Sequence, residues 1–64
     1  MKNNIKVLRA IANMTQADLA DNVWVRRETI LFLEKWDYNP SLELAFKISN
    51  FFGKSIEDIF NYDG

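Results

Sequence analysis

The chain has 64 residues, no cysteine, no histidine and a net charge of −1. That is room for one domain, and it excludes disulfides, thiol chemistry and the common zinc sites. Its apolar runs fall short of the ~20 residues a membrane span needs, and the N-terminus lacks a signal-peptide core, so a soluble cytoplasmic protein with no membrane partner is expected.

A chain this short buries only about 60% of the surface its unfolded form exposes, so stability depends on close helix packing. Asn3 or Asn4 can cap a first helix that runs to about Ala12, with Ile5, Leu8 and Ala12 inward and Val7 alongside. Ile11 lies off that stripe, and Asn13 suits a left-handed stop. Lys2, Lys6 and Arg9 make this end basic. Their simplest role is a solvated face; the functional one is contact with phosphate or with an acidic partner.

Thr15 caps a second helix, Gln16 to about Asn22, and Asp18 three residues later completes a capping-box pattern. Leu19 and Ala20 give it an apolar side, and Ala20 lets a neighbouring helix approach closely. Asn22-Val23-Trp24-Val25 breaks the pattern. A third helix runs from about Arg26 to Lys35 with Ile30 and Leu33 inward. Asp37-Tyr38-Asn39-Pro40 ends it, because the residue before a proline is pushed out of the helical region. Ser41 caps a fourth helix, Leu42 to Phe52, whose broad apolar face is Leu44, Ala45, Ile48, Phe51 and Phe52. Glu43 suits the positive end of its dipole, and Gly53 closes it. Ser55 and Asp58 open a short fifth helix with Ile56, Ile59 and Phe60, the last two expected in the core. The fold class is all-α, a compact five-helix bundle forming a single domain over residues 1–64.

Two short helices joined by a tight turn form the helix-turn-helix unit, whose second helix can enter a DNA major groove. Four pieces of the chain, IKVLRAIAN, MTQADLA, VRRETILFLEK and YNPSLELAFKISNFFGKSIEDIF, follow one another in an order that resembles the Cro/lambda-repressor-like, or XRE, helix-turn-helix family. The resemblance implies a DNA-binding, repressor-like transcriptional regulator that acts as a dimer on a palindromic operator. It also implies that Gln16 contacts a phosphate or a base, and that Ile59, Phe60 and Tyr62 are candidates for a dimer contact. The chain departs from the family at particular positions. Trp24 stands where the family commonly has glycine or a polar residue, Arg26 where it has a small cap such as serine, and Trp36 where glycine or asparagine usually ends the recognition helix. Leu31 and Phe32 replace small or polar groups that face the groove.

At 100° per residue, Arg27, Glu28, Leu31, Phe32 and Lys35 share one face, opposite Ile30 and Leu33. Two interfaces are therefore expected in competition. For DNA, the candidates are Gln16, Arg26, Arg27, Glu28, Thr29 and Phe32. The fork of Arg27 matches a phosphate or a guanine edge, Glu28 can accept from cytosine, Thr29 can donate to a phosphate, and an aromatic ring can touch a thymine methyl. For a protein partner, or a second copy of the chain, the candidates are Trp24, Arg27, Leu31, Phe32 and Trp36, an apolar surface reworked by divergence or engineering. Each has a simpler role: the polar ones as solvated helix residues, with Arg26 and Arg27 pairing to Glu28, and the two indoles folded back on Leu31 or Tyr38. Charge weighs against DNA, since Gln16 to Asp37 carries three cations and five carboxylates, a net −2. No catalytic constellation, cofactor motif or metal-ligand spacing is present in the sequence, so neither an enzyme nor a cofactor is expected.

Overall fold

The computed structural model describes residues 1–61 and contains five helices and one short strand pair. In chain order these are β1 (Lys2–Asn3), α1 (Ile5–Ile11), α2 (Gln16–Val23), α3 (Arg27–Glu34), α4 (Leu42–Phe52), α5 (Ile56–Ile59) and β2 (Phe60–Asn61). The helix starts follow local side-chain chemistry. Thr15 and Asp18 form a reciprocal capping box, with both hydrogen bonds 3.0 Å long. Ser41 Oγ accepts from the Leu44 amide at 3.1 Å, and Ser55 Oγ from the Asp58 amide at 3.2 Å. Arg26 occupies the cap position of α3 and makes no such bond.

The helix stops are less ordinary. Asn13, Trp24, Trp36 and Gly53 all adopt left-handed backbone, with φ of 57°, 66°, 65° and 63°. Such a residue lets the following amides turn back onto the last carbonyls. After α3, the Trp36 amide donates to Leu33 O at 3.1 Å and the Asp37 amide to Phe32 O at 3.3 Å. The helix therefore stops at Trp36, not through the pre-proline restriction at Asn39 that the sequence suggested. α2 likewise runs on to Val23, which is buried, and Trp24 alone makes the break.

The core is continuous from Ile5 of α1 through Leu19, Ile30, Leu33 and Ile48 to Ile59, each no more than 1% exposed. α2 packs chiefly on α3 and also on α4. Ile59 and Phe60 are buried as expected, whereas Tyr62 lies outside the described residues. Three expected core positions face out instead. α1 ends at Ile11, so Ala12 falls past its last turn. Val7 points away from the side that Ile5 and Leu8 cover, and Phe51 flanks the face of α4 that Leu44 and Ile48 fill.

The strand pair is an addition to the all-helical expectation. Lys2 lies opposite Asn61 and Asn3 opposite Phe60 in antiparallel register. Two asparagines hold this end of the molecule. Asn3 Nδ2 donates to Leu33 O at 2.8 Å and its Oδ1 accepts from the Ile5 amide at 3.2 Å, while Asn4 Nδ2 donates to Asp58 O at 3.0 Å. Asn3 thus serves the start of α1 from one residue outside the nominal cap.

Candidate nucleic-acid interface

The interface is built around one carboxylate that does not face out. Glu34, the last residue of α3, has a side chain only 5% exposed. Arg9 of α1 grips it with two parallel hydrogen bonds, Nε to Oε2 at 2.6 Å and Nη2 to Oε1 at 2.9 Å. The remaining guanidinium nitrogen donates to Met14 O at 2.8 Å. Gln16, the first residue of α2, donates from Nε2 to Glu34 Oε1 at 3.1 Å. Three helices are thereby tied at one point, through the fork geometry for which arginine is suited. Burial alone would push the Glu34 carboxyl up. The hydrogen bonds from Arg9 and Gln16, with the charges of Arg9 and Lys6, outweigh it and hold the group below the usual carboxylate range. Glu34 in turn raises the Arg9 guanidinium.

This network corrects two sequence expectations. Arg9, whose simplest assigned role was a solvated face with Lys2 and Lys6, has a side chain only 15% exposed and is committed internally. Glu34, counted among the carboxylates that would repel phosphate, is neutralised within the fold. The groups left on the outside of α3 and its two end positions are Arg26, Arg27, Glu28 and Lys35, all exposed. Three cations stand against one carboxylate there. Among the described residues neither Arg26 nor Arg27 is paired with Glu28.

Gln16 is half-buried because its amide is anchored on Glu34, which orients the side chain and leaves its second Nε2 hydrogen for another acceptor. Asp18 lies in the first turn of α2, its carboxyl held low by hydrogen bonding with Thr15. On α3, Ile30 and Leu33 are fully buried, Thr29 and Leu31 half-buried, and Phe32 is 47% exposed. The helix presents the outward face that the 100° projection drew, apart from the partial cover over Leu31.

Both tryptophans are exposed, Trp24 at 83% and Trp36 at 51%, and they stand at opposite ends of α3. An eight-residue helix is about 12 Å long, and each indole has its own surroundings. Trp24 borders an open groove with Asn22 of α2 and Lys47, Asn50 and Phe51 of α4. Trp36 lies beneath the Lys2 ammonium, 5.9 Å from the ring centroid. The signal that sequence reasoning missed is Arg9 with Glu34. No local pattern marks it, since the pairing spans 25 residues.

A capped helix, a left-handed turn and a second helix packed on the first, with its outward face cationic, define a helix-turn-helix DNA-binding module. The helix-turn-helix family matches residues 5–59, and the chain belongs to that family. It is 57% identical over 63 residues to an uncharacterised HTH-type transcriptional regulator of Methanocaldococcus jannaschii, covering 98% of this chain and 96% of the relative. A regulator of the same description from Archaeoglobus fulgidus is 60% identical over 98% of this chain and 89% of its own length. A bacterial one from Bacillus subtilis is 47% identical over 94% and 91%. Among the described residues no helix is long and apolar enough to cross a membrane.

Proposed function

We propose that this helix-turn-helix transcriptional regulator holds duplex DNA by laying α3 in the major groove, with Gln16 at the start of α2 on the flanking phosphate backbone. Family membership, and relatives of that description matched almost end to end, support a DNA-binding regulator that acts by binding and not by catalysis. The observation that carries the geometry is the outside of α3 and its two end positions, where Arg26, Arg27 and Lys35 stand against Glu28 alone because Glu34 is paired internally with Arg9. Arg26 and Arg27 contact phosphate at the start of α3, or Arg27 a guanine edge, and Thr29 donates to a phosphate from the side of the helix. The test is a titration with duplex DNA at several salt concentrations. Affinity falls with a log–log slope of about −0.9 for each phosphate contact, and Arg27→Ala makes the slope shallower by about one contact. Salt-independent binding, or none at low salt, rejects it.

A second function, protein contact through Trp24, Arg27, Leu31, Phe32 and Trp36 with a homodimer as its simplest form, is favoured by one observation. Both tryptophans occupy left-handed backbone that costs a side chain about 1–2 kcal/mol, and Trp24 is almost wholly in water and Trp36 half so, beneath the Lys2 ammonium. At Trp24 a glycine would serve the fold better, which points to a role for that indole outside it. Sedimentation over a range of concentrations tests the homodimer. A dimer that Trp24→Gly or Trp36→Gly dissociates supports this function, and a monomer throughout counts against it.

A further inference from the structure

We infer that α3 reads a thymine methyl through Phe32 and a cytosine amino group through Glu28, so that the preferred half-site holds these two bases one or two base pairs apart. This deepens the DNA-binding function above and rests on it. Phe32 is 47% exposed and has no place in the core cluster, while Ile30 and Leu33 behind it are fully buried. Glu28 precedes it by four residues, is exposed, and lies on the same outward face.

The chemistry of the major groove is selective towards this pair. The thymine C5-methyl is the apolar group that the base edges present, and an aromatic side chain covers it without leaving a polar atom unpaired. A carboxylate accepts from the cytosine amino group, and it is repelled by guanine, whose O6 and N7 are both acceptors. Between Arg27 at one end of this face and Lys35 at the other, both of which suit a phosphate or a guanine edge, stand only Glu28, Leu31 and Phe32, and the face has no amide side chain to pair with adenine. Residues four apart are separated by about 6 Å along the helix axis, against about 3.4 Å between successive base pairs. With α3 laid along the groove, that places the two bases one or two base pairs apart.

The experiment uses the full chain. Duplexes are first selected from a random-sequence pool at low salt. In the best duplex each thymine is then replaced in turn by deoxyuridine, which removes only the C5-methyl. One such replacement weakens the unmodified protein about fourfold, the effect of burying a single methyl group, and leaves Phe32→Ala unchanged. Glu28→Gln relaxes selection at one neighbouring cytosine. Circular dichroism confirms that both variants are folded, and the deoxyuridine series on the unmodified protein needs neither. If binding is sequence-selective and salt-dependent but indifferent to every deoxyuridine, the methyl contact is wrong and the major-groove function stands. If no duplex is selected at low salt, both fall.

Discussion

Replacing Arg9 by methionine removes the countercharge and both hydrogen bonds from a carboxylate that is 5% exposed, and leaves Gln16 as its one remaining side-chain donor among the described residues. Breaking one side of a buried pair costs about 3–5 kcal/mol, because the surviving charge stays desolvated. A domain of this length has about 3–10 kcal/mol of stability in total. The variant is therefore expected to melt at least roughly 12 °C lower, at about 4 °C or more per kcal/mol. The pH dependence fixes the cause. In the unmodified protein the Glu34 carboxyl is held below its unfolded value, so its contribution is complete above that value and is lost as pH falls through the folded one. In Arg9→Met burial prevails, the carboxyl moves up, and protonation relieves the buried charge. The gap between the two proteins should narrow from pH 7 to pH 4. Replacing both partners, Arg9→Met with Glu34→Leu, should recover most of the loss. Urea unfolding followed by far-ultraviolet circular dichroism at the two pH values measures all of this. A loss below about 1 kcal/mol at pH 7, or one that does not change with pH, refutes the reasoning.

Other outcomes follow from the helix ends. Trp24→Gly should leave stability unchanged or raise it by up to about 1 kcal/mol, since relief of left-handed strain exceeds the extra freedom glycine gives the unfolded chain; a loss larger than that in thermal melts would show that the indole packs. Arg26→Ser should supply the side-chain cap α3 lacks and add about 1 kcal/mol, while weakening duplex binding at low salt. Thr15→Ala should cost about 1 kcal/mol by opening the capping box of α2, read from the midpoint of urea unfolding.

Helix starts were legible because capping is local: Thr15 with Asp18, Ser41 and Ser55 each act within three residues, and all three were located from sequence. The inward stripes of α2 and α3 were legible for a related reason, as Leu19, Ile30 and Leu33 lie on helices whose one covered side matches the 3.6-residue period. What escaped was set by tertiary contact. Val7 and Phe51 are apolar in a domain too small to cover more than one side of each helix. A strand of two residues leaves no periodic trace, so β1 and β2 were invisible. The end of α3 was legible, at about Lys35 from the helix pattern and at Trp36 from the family resemblance; its left-handed backbone was not, because tryptophan is a poor candidate for that conformation. The candidate interface suffered most from the charge count. Summing formal charges along Gln16 to Asp37 treats Glu34 as a surface group, which only its partner 25 residues away shows it is not; without Glu34 the segment still has four carboxylates against three cations, and the cationic excess is confined to the outside of α3, which a sum along the chain does not resolve. Whether Trp24 and Trp36 would face out with Leu31 and Phe32 or fold back was open from sequence; Trp24, Phe32 and Trp36 are exposed and Leu31 is half-buried.

Backbone amide shifts during a titration with a selected duplex, recorded by nuclear magnetic resonance at low salt, test the placement of α3 most directly. The largest changes should fall on Gln16 and on Arg26 to Phe32, with α1 and the outer side of α4 little affected. Changes confined to α1 or to the Trp24–Phe51 groove, with α3 unmoved, would contradict it.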